Sequence, residues 1–166
     1  MTENLQKEVL HMVLKTPRES MVEMTELVLP NDTNLLGNLL GGRLMHLVDI
    51  AGAIAAQRHC NRAVVTASID SVEFKHPVKQ GEIVILKARV TWVGRTSMEV
   101  LVEVFSENLM GERKFTNKAY LTLVAVDAAA KPVEVCGLRL ETEEDKAENE
   151  AAAKRRCERL KRREQS

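Results

Sequence analysis

The chain has 166 residues, of which 45% are hydrophobic, and its 24 basic and 24 acidic residues balance to a net charge of zero. This length fits one compact domain with an appended element, and no second core is required. Balanced charge argues against nucleic-acid binding by the whole domain, because such domains usually carry a strongly basic surface.

The N-terminal segment, residues 1–19, gives no sign of a targeting sequence. It contains Glu3, Lys7 and Glu8 and no long apolar run, so it is neither a secretory signal nor a membrane span. We therefore expect a cytoplasmic protein with no membrane partner. The three cysteines form no CxxC pair, so we expect reduced thiols rather than disulfides or a zinc site.

A domain over residues 20–136 begins with a predicted strand, Ser20–Val28, followed by a loop rich in asparagine. The loop leads through a Gly-Gly pair into a predicted helix, Gly41–His59. Apolar side chains recur along this helix every three or four residues. They form one stripe, which must pack against another element.

Strand patterns fill the region after the helix. Four strands are predicted, over Ala63–Phe74, Glu82–Val93, Met98–Phe105 and Arg113–Val126. In the second of these, alternation puts five side chains on one face: Val84, Leu86, Ala88, Val90 and Trp92. Short turns imply antiparallel pairing, so we predict an α+β fold in which a five-stranded antiparallel sheet wraps around one long helix.

Residues 137–166 form a charged tail in which acids precede bases. That order complements the dipole of a helix at both of its ends, so the tail is a predicted helix. Its apolar residues are too few for a core stripe, and we expect a solvated or subunit-bridging helix. The alternative is that its basic end meets a phosphate or an acidic partner.

The start of the long helix is a candidate site for an oxyanion. Its first N–H groups lack intrahelical partners and lie at the positive end of the helix dipole, and glycine lets a ligand come close to them. The backbone of Gly41 and Gly42 therefore suits an oxyanion, or a carbonyl that becomes one.

Asp49 is the one acid on this helix. The residues on its face are mostly small: Gly42, Met45, His46, Gly52, Ala53 and Ala56. A second copy of the chain can come close there, so we expect Asp49 at a subunit interface. It lies about 12 Å along the axis from Gly41, so the loop and the acid of one site should come from two protomers. The alternative is an ordinary exposed aspartate.

Five motifs follow one another in the chain: DTNxxGNxxGG, VVTASIDSVEF, HPVKQGE, GRTSMEV and TNKAYLTLVAV. With the helix acid, they resemble the cytosolic acyl-CoA thioesterases of the hotdog fold, over about residues 19–132. The resemblance implies a hotdog domain that pairs into a homodimer and assembles as a trimer of dimers, a homohexamer. It also implies hydrolysis of fatty acyl-CoA to a free fatty acid and CoA.

The resemblance further implies a catalytic pair, Asn34 in the loop and Asp49 on the helix, drawn from opposite protomers. Asn38 matches the GN of the family's GNVHGG motif, but Leu39-Leu40 replaces its Val-His, so no histidine of this loop takes part. Asp49 can act as general base on water or attack the thioester directly, and the sequence leaves both routes open. Asn34 can orient the water or polarise the carbonyl.

CoA is a long anionic ligand whose phosphates need donors. The turn Arg95-Thr96-Ser97 offers a guanidinium and two hydroxyls, and the resemblance puts it near the family's CoA or nucleotide sites; the alternative is a plain hairpin turn. Arg62 and Lys75 are weaker candidates at neighbouring strand ends. Thr66 and Ser68 lie on one predicted strand face, where the resemblance implies polar groups near the pantetheine arm; the alternative is a solvated strand face. No metal or organic cofactor motif occurs, so we expect none beyond the CoA of the substrate.

Two other functions compete with hydrolysis. A hotdog hydratase or dehydratase needs a histidine opposite the helix acid, whereas this loop offers asparagine. A CoA-sensing module that controls transcription needs a DNA-reading element, and the segment before the first strand is too short for one. Only the basic tail is compatible with nucleic acid.

Overall fold

The computed structural model describes residues 2, 4, 5, 8, 9, 13–70 and 72–166. Its strands are β1 (Leu14–Lys15), β2 (Val22–Leu27), β3 (Ala63–Ile69), β4 (Ile83–Val93), β5 (Ser97–Glu107), β6 (Arg113–Val126) and β7 (Gly137–Leu138). From Leu14 onward, the helices are α1 (Pro17–Ser20), α2 (Gly41–Cys60) and α3 (Glu143–Glu164), with a 3-10 turn at Pro30–Asp32.

Five strands form one antiparallel sheet in the order β2-β4-β5-β6-β3, while β1 and β7 pair in parallel as a separate sheet. Helix α2 lies on one face of the large sheet, here called the inner face, and contacts all five strands. The helix buries a stripe of five apolar residues: Leu44, Leu47, Val48, Ala51 and Ala55. This stripe and alternate residues of the strands form one core. Burial of apolar surface, at about 25 cal/mol per Å², is the main term that holds helix and sheet together. The predicted α+β architecture is confirmed.

Asn61 ends α2, close to the predicted end at His59. It adopts the left-handed conformation (φ 52°, ψ 36°), and its N–H donates to the carbonyl of Gln57 at 2.7 Å. Asparagine tolerates this conformation better than most residues, so it can turn the chain out of the helix. The chain then enters β3 directly, alongside α2.

The first large strand is shorter than predicted. Ser20, the predicted first residue of the strand, is instead the last residue of α1, which Thr16 and Glu19 cap reciprocally. Strand β2 therefore begins at Val22.

Strand β3 ends at Ile69, well before the predicted end at Phe74. Beyond it the chain leaves the sheet, and the side-chain amide of Asn117 donates to the carbonyl of Glu73. This anchor directs Phe74 toward the start of α2. A polar side chain on another strand thus contacts the segment after β3, a tertiary contact that local propensity does not reveal.

A β-bulge in β4 moves Trp92 to the outer face, the face opposite α2. The register shifts between Val90, which pairs with Val100 in the core, and Trp92, which pairs with Glu99. A bulge inserts one extra residue and so reverses the alternation beyond it. The prediction that Trp92 shares a face with Val90 is therefore wrong.

A second bulge separates Thr66 from Ser68 in β3. Thr66 pairs with Leu123, a core residue, whereas Ser68 pairs with Thr122. Thr66 therefore points to the inner face and Ser68 to the outer face. The prediction that both lie on one strand face is wrong for the same physical reason.

Helix α3 packs on the outer face through charged groups. Arg155 makes two hydrogen bonds to the carboxylate of Glu99, at 2.8 and 3.1 Å, and that side chain is only 1% exposed. Nη1 of Arg159 lies 3.0 Å from Asp70 and 3.4 Å from Glu99. The guanidinium of Arg155 also stacks on the ring of Tyr120 at 3.6 Å.

The C-terminal helix is therefore not solvated all round, because one of its faces packs on the sheet; the expectation that it bridges subunits stays a prediction. Ion pairs and ring contacts hold α3 in place, and a stripe of apolar residues is not needed. These contacts fit the alternative, a basic end that meets an acidic partner, and the partner is the sheet of the same chain.

Candidate active site

Asp49 lies midway along α2, half-buried, and Thr66 holds its carboxylate. The hydroxyl of Thr66 donates to Oδ1 of Asp49 at 2.6 Å, the length of a charge-assisted bond from a hydroxyl to a carboxylate. Thr66 reaches Asp49 because regular alternation puts it on the inner face with Val64, before the register shift in β3. Oδ2 receives no hydrogen bond from the described residues, so it is available to water or to a substrate.

The side chain of Asn34 organises the loop before α2. Its Oδ1 accepts hydrogen bonds from the backbone N–H groups of Leu36 at 2.9 Å and Asn38 at 3.1 Å. Gly37, at φ 73°, lets the loop close. Asn38, the other predicted site residue of the loop, contributes its backbone to this closure. Because the oxygen of Asn34 is committed to the loop, its Nδ2 group is left as the donor.

The start of α2 has no side-chain cap. Leu40, in an extended conformation, occupies the N-cap position and offers no acceptor to the first N–H groups. A Cβ on Gly41 would lie 3.3 Å from Cζ of Phe74, whereas a Cβ on Gly42 would meet nothing within 4 Å. The ring of Phe74 therefore covers Gly41, and Gly42 faces open space.

Two of the small residues on the face of Asp49 pack within the same chain instead of lying open to a second copy. Gly52 and Ala56 are buried, and a Cβ on Gly52 would lie 2.9 Å from Cδ2 of Leu121. The expectation that these two make room for a second copy is wrong, because both are buried within the single chain, and Gly52 brings α2 close to Leu121 of β6. His46, on the same face, is exposed, so the N-terminal part of that face stays open to another molecule.

Large apolar side chains lie exposed around the Asn34 loop. Leu35 is fully exposed, Leu36 is 83% exposed, and Leu29 and Leu40 are about half exposed. A group of large exposed apolar side chains indicates a surface that another molecule covers. The loop that carries Asn34 therefore has the character of an interface.

The predicted CoA-binding residues do not converge on one cavity. Ser68, Thr96 and Ser97 line a cavity of about 230 Å³ on the outer face, beneath α3. Arg95 lines a neighbouring cavity of about 380 Å³ and is highly exposed. Thr66 lies apart from both, on the inner face with Asp49.

The two remaining candidates lie in other places. Lys75 lines a cavity of about 560 Å³ with Lys118 and Arg155. Arg62 lines one of about 680 Å³ beside Cys60, at the far end of α2. The predicted CoA-binding residues therefore line separate cavities of the single chain, and their role in CoA binding stays a prediction.

His59 is buried at the end of α2. Its Nε2 donates to the carbonyl of Cys136 at 3.1 Å, while its Nδ1 is buried without a partner in the described part of the chain. Burial lowers the pKa of His59, and the bond to the Cys136 carbonyl raises it by less. These contacts are those of a structural residue.

Two of the three thiols offer no rival nucleophile to Asp49, and the third, the exposed Cys157, lies on α3 away from that site. Cys60 and Cys136 are buried, and burial raises the pKa of each thiol, which lowers its reactivity. Among the described residues, no cluster of three His, Cys, Asp or Glu side chains could hold a metal ion. In the same residues, no helix is both long enough and apolar enough to cross a membrane.

Comparison with known proteins shows the family. Residues 36–112 match the model of the Thioesterase superfamily. The chain is also 46% identical, over 150 residues, to a Bacillus subtilis protein named as an uncharacterized acyl-CoA thioester hydrolase. That match covers 90% of this chain and 87% of the relative. The chain belongs to the acyl-CoA thioester hydrolases of the Thioesterase superfamily.

Solved structures share the hotdog fold predicted for this acyl-CoA thioester hydrolase. An apo-hexameric acyl-CoA thioesterase superposes with a TM-score of 0.86 at 45% identity, over 90% of this chain and 97% of that one. An acyl-CoA hydrolase from Staphylococcus aureus has been solved in complex with butyryl coenzyme A, coenzyme A and coenzyme A disulfide. It superposes with a TM-score of 0.86 at 36% identity, over 92% of this chain and 94% of that one. Further structures of the S. aureus enzyme carry alanine in place of an aspartate, an asparagine or a threonine.

Sequence reasoning missed two features of this acyl-CoA thioester hydrolase. One is the bond from Thr66 to Asp49, which depends on how α2 packs against β3. The other is the docking of α3 on Glu99. The signal for it was present: Glu99 and Glu103 alternate with core residues on one strand, and the basic half of the tail complements them.

Proposed function

We propose that this enzyme hydrolyses fatty acyl-CoA at a site that two protomers share, with Asp49 of one chain and Asn34 of the other at the thioester. The observation that carries the proposal is the 2.6 Å bond from Thr66 to Asp49, which orients one carboxylate oxygen and leaves the other open. The three residues substituted in the S. aureus enzyme are of the same types, at the same spacing, as Asn34, Asp49 and Thr66.

The open oxygen of Asp49 performs the first step. As a general base, it takes a proton from water while the water oxygen attacks the thioester carbonyl carbon. As a nucleophile, it attacks that carbon itself and forms an anhydride, which water then hydrolyses. In both routes the C–S bond breaks, the sulfur takes a proton, and CoA and the free acid leave.

The negative charge on the carbonyl oxygen is met by donors at the loop and the helix start. Among the described residues, Nδ2 of Asn34 and the N–H groups of Gly41 and Gly42 are donors without an acceptor. Each well-placed donor of this kind lowers the barrier by roughly 3 kcal/mol.

The assignment to two protomers rests on distance and on exposed surface. Asp49 lies two turns of helix beyond Gly41, about 12 Å along the axis. The leucines around Asn34 are exposed in the single chain and would be covered by a partner. We propose a homodimer that assembles further into a hexamer as a trimer of dimers, in line with the hexameric neighbour. The same apolar surface suits a fatty acyl chain.

Mixing of inactive chains tests the shared site. Asn34→Ala and Asp49→Ala are each expected to abolish turnover while the fold is kept, as checked by circular dichroism. Co-expressed in equal amounts, the two chains should recover about a quarter of wild-type thiol release, because half of the dimers contain one intact site. Absence of recovery would contradict the arrangement.

A doubly substituted chain is the matched control. Co-expression of the Asn34→Ala, Asp49→Ala double variant with wild type should also leave about a quarter of the activity, since every mixed dimer is dead. Sites contained within single chains would leave about half. Hydrolysis rates from acetyl-CoA to palmitoyl-CoA then test the preference for fatty acyl chains.

A further inference from the structure

The ring of Phe74 lies against the start of α2. A Cβ on Gly41 would lie 3.3 Å from Cζ of this ring and 3.7 Å from both Cε atoms, so the tip of the ring contacts the backbone of Gly41. The side chain of Phe74 is nevertheless 56% exposed. The tip of the ring therefore covers the helix start, while the rest of the ring is open to another molecule.

Two hydrogen bonds to one carbonyl fix the backbone around Phe74. The N–H of Lys75 donates to the carbonyl of Glu73 at 3.1 Å, which makes a γ-turn with Phe74 at its apex. The side-chain amide of Asn117 donates to the same carbonyl. Asn117 is 2% exposed and pairs on β6 with Val104 of the core. A turn that is bonded to the sheet in this way holds the side chain at its apex in one place.

The carbonyl carbon of a thioester carries two substituents, which are the acyl chain and the sulfur of CoA. When the carbonyl oxygen accepts from the N–H groups of Gly41 and Gly42, one of the two lies beside the ring of Phe74. An aromatic ring favours an apolar neighbour, and the acyl chain is apolar, whereas the CoA arm carries amides that need hydrogen-bond partners. Leu40, 41% exposed and next to Gly41, adds to the apolar surface at this point. The ring therefore suits the acyl chain better than the CoA arm.

We propose that Phe74 limits the width of the site at the α-carbon of the acyl group, the first carbon after the carbonyl. It thereby selects straight-chain acyl-CoA over acyl-CoA that is branched at that carbon. A methyl branch there needs space on the side of the ring, and the contact with Gly41 leaves the ring no room to move toward the helix. The selection rests on the proposed function, because that function puts the carbonyl at the start of α2.

Asn117 is a positioning residue in this arrangement, because it acts on the substrate only through the turn that carries Phe74. Its amide reaches that turn from a strand of the core, so the width of the site depends on the sheet as well as on the ring. Loss of the amide should therefore relax the selection in the same direction as loss of the ring.

The ratio of kcat/KM for isobutyryl-CoA to kcat/KM for butyryl-CoA measures the selection. The two substrates have the same formula and differ only in where one methyl group is attached, and the ratio does not depend on the fraction of enzyme that is folded. Wild type should favour butyryl-CoA at least about tenfold, as expected for one carbon in a tight site, and Phe74→Ala should raise the ratio at least about tenfold. Phe74→Leu and Asn117→Leu should each raise it by less.

Phe105→Ala is the matched control. Phe105, on β5, packs against Phe115 of β6 with the ring centroids 5.6 Å apart. Its substitution removes the same side chain from another part of the fold and should leave the ratio unchanged.

Three outcomes would overturn the selection by Phe74. One is an equal ratio in wild type and Phe74→Ala, and another is an equal rise in Phe105→Ala. The third is an equal fall of kcat/KM for both substrates in Phe74→Ala, which would put the ring at the CoA arm. An unchanged ratio in Asn117→Leu would overturn the role of Asn117.

Asp49→Ala separates these failures from a failure of the proposed function. Release of thiol from butyryl-CoA by Asp49→Ala at the wild-type rate would overturn the proposed function itself. An inactive Asp49→Ala enzyme, together with an unchanged ratio in Phe74→Ala, would overturn only the selection by Phe74.

Discussion

The hydroxyl of Thr66 donates to Oδ1 of Asp49 across 2.6 Å, from the strand that follows the helix to the helix itself. Because of this bond, the carboxylate presents a single open oxygen in a fixed direction. Thr66 is thus a positioning residue, because it acts on the substrate only through Asp49.

Removal of this hydroxyl should lower turnover without weakening substrate binding. We expect Thr66→Val, which keeps the side-chain shape, to reduce kcat about 10- to 100-fold, as for the loss of a hydrogen bond to a charged group. KM should stay within about twofold, and Thr66→Ser should restore most of kcat. Release of free thiol from acyl-CoA gives both constants.

Thr25, exposed in β2, provides the matched control for that substitution. Thr25→Val should leave kcat unchanged. If Thr66→Val turned over as fast as wild type, Asp49 would not need Thr66 for its orientation.

Two glycines of α2 should respond in opposite ways to the same change. Gly42→Ala adds a methyl group in open space and should raise the free energy of unfolding by about 0.5–1 kcal/mol, because alanine favours helix. Gly52→Ala places a methyl 2.9 Å from Leu121 and should destabilise the fold by about 1–3 kcal/mol. Urea unfolding of both variants measures the difference.

The Gly52→Ala variant also tests whether Gly52 packs against its own sheet or against a partner chain. If Gly52 packed against a partner chain, Gly52→Ala would weaken association of the protomers and leave the fold of each intact. Sedimentation over a range of protein concentrations should instead show unchanged association at concentrations where the variant is folded.

The core of the fold could be predicted from the sequence, because it rests on periodicity. The helical stripe of α2 and the alternation in β5, from Met98 to Val104, bury the same residues that the patterns selected. The bulges at Trp92 and after Thr66 could not be predicted, since a bulge is set by pairing between strands and carries no local signal. Each bulge moved a polar or aromatic side chain to the other face of the sheet.

The candidate site was predictable in part, and for a different reason. Asn34, Asp49 and the Gly-Gly pair belong to motifs whose residue types and order indicate a family. Tertiary contacts decide which oxygen of Asp49 is free. Contacts within the folded loop likewise occupy the side-chain oxygen of Asn34. A sequence names the groups at a site but not their remaining hydrogen-bonding capacity.

The buried carboxylate of Glu99 should be strongly coupled to Arg155. Either single substitution to alanine leaves the other charge poorly paired, so we expect each to destabilise the fold by about 2–3 kcal/mol; the partial exposure of Arg155 moderates the cost. The double variant should be at least about 1 kcal/mol more stable than the sum of the single losses predicts. A double-mutant cycle from urea unfolding measures this coupling.

An exposed ion pair on the same helix gives the reference for that cycle. Glu143 and Lys146 lie 3.0 Å apart with both side chains largely exposed. Lys146→Ala should cost less than about 0.5 kcal/mol, as surface pairs usually do. Additive losses for Glu99 and Arg155 would mean that α3 is held by contacts other than this pair.

Acid should destabilise the fold through His59. Burial lowers the pKa of His59 in the folded protein below its ordinary value of 6.5, so the unfolded chain binds the additional proton first. The contribution of His59 is fully present above about pH 6.5 and is lost progressively as the pH falls below that value. Nδ1 has no partner in the described part of the chain, so the protonated ring would place an unpaired charge in the core.

We expect His59→Gln, which keeps a donor for the Cys136 carbonyl, to show a smaller loss of unfolding free energy than wild type between pH 6.5 and 5. His76→Gln, at an exposed histidine, should follow the wild-type curve, and equal slopes for wild type and His59→Gln would show that other groups govern the acid sensitivity.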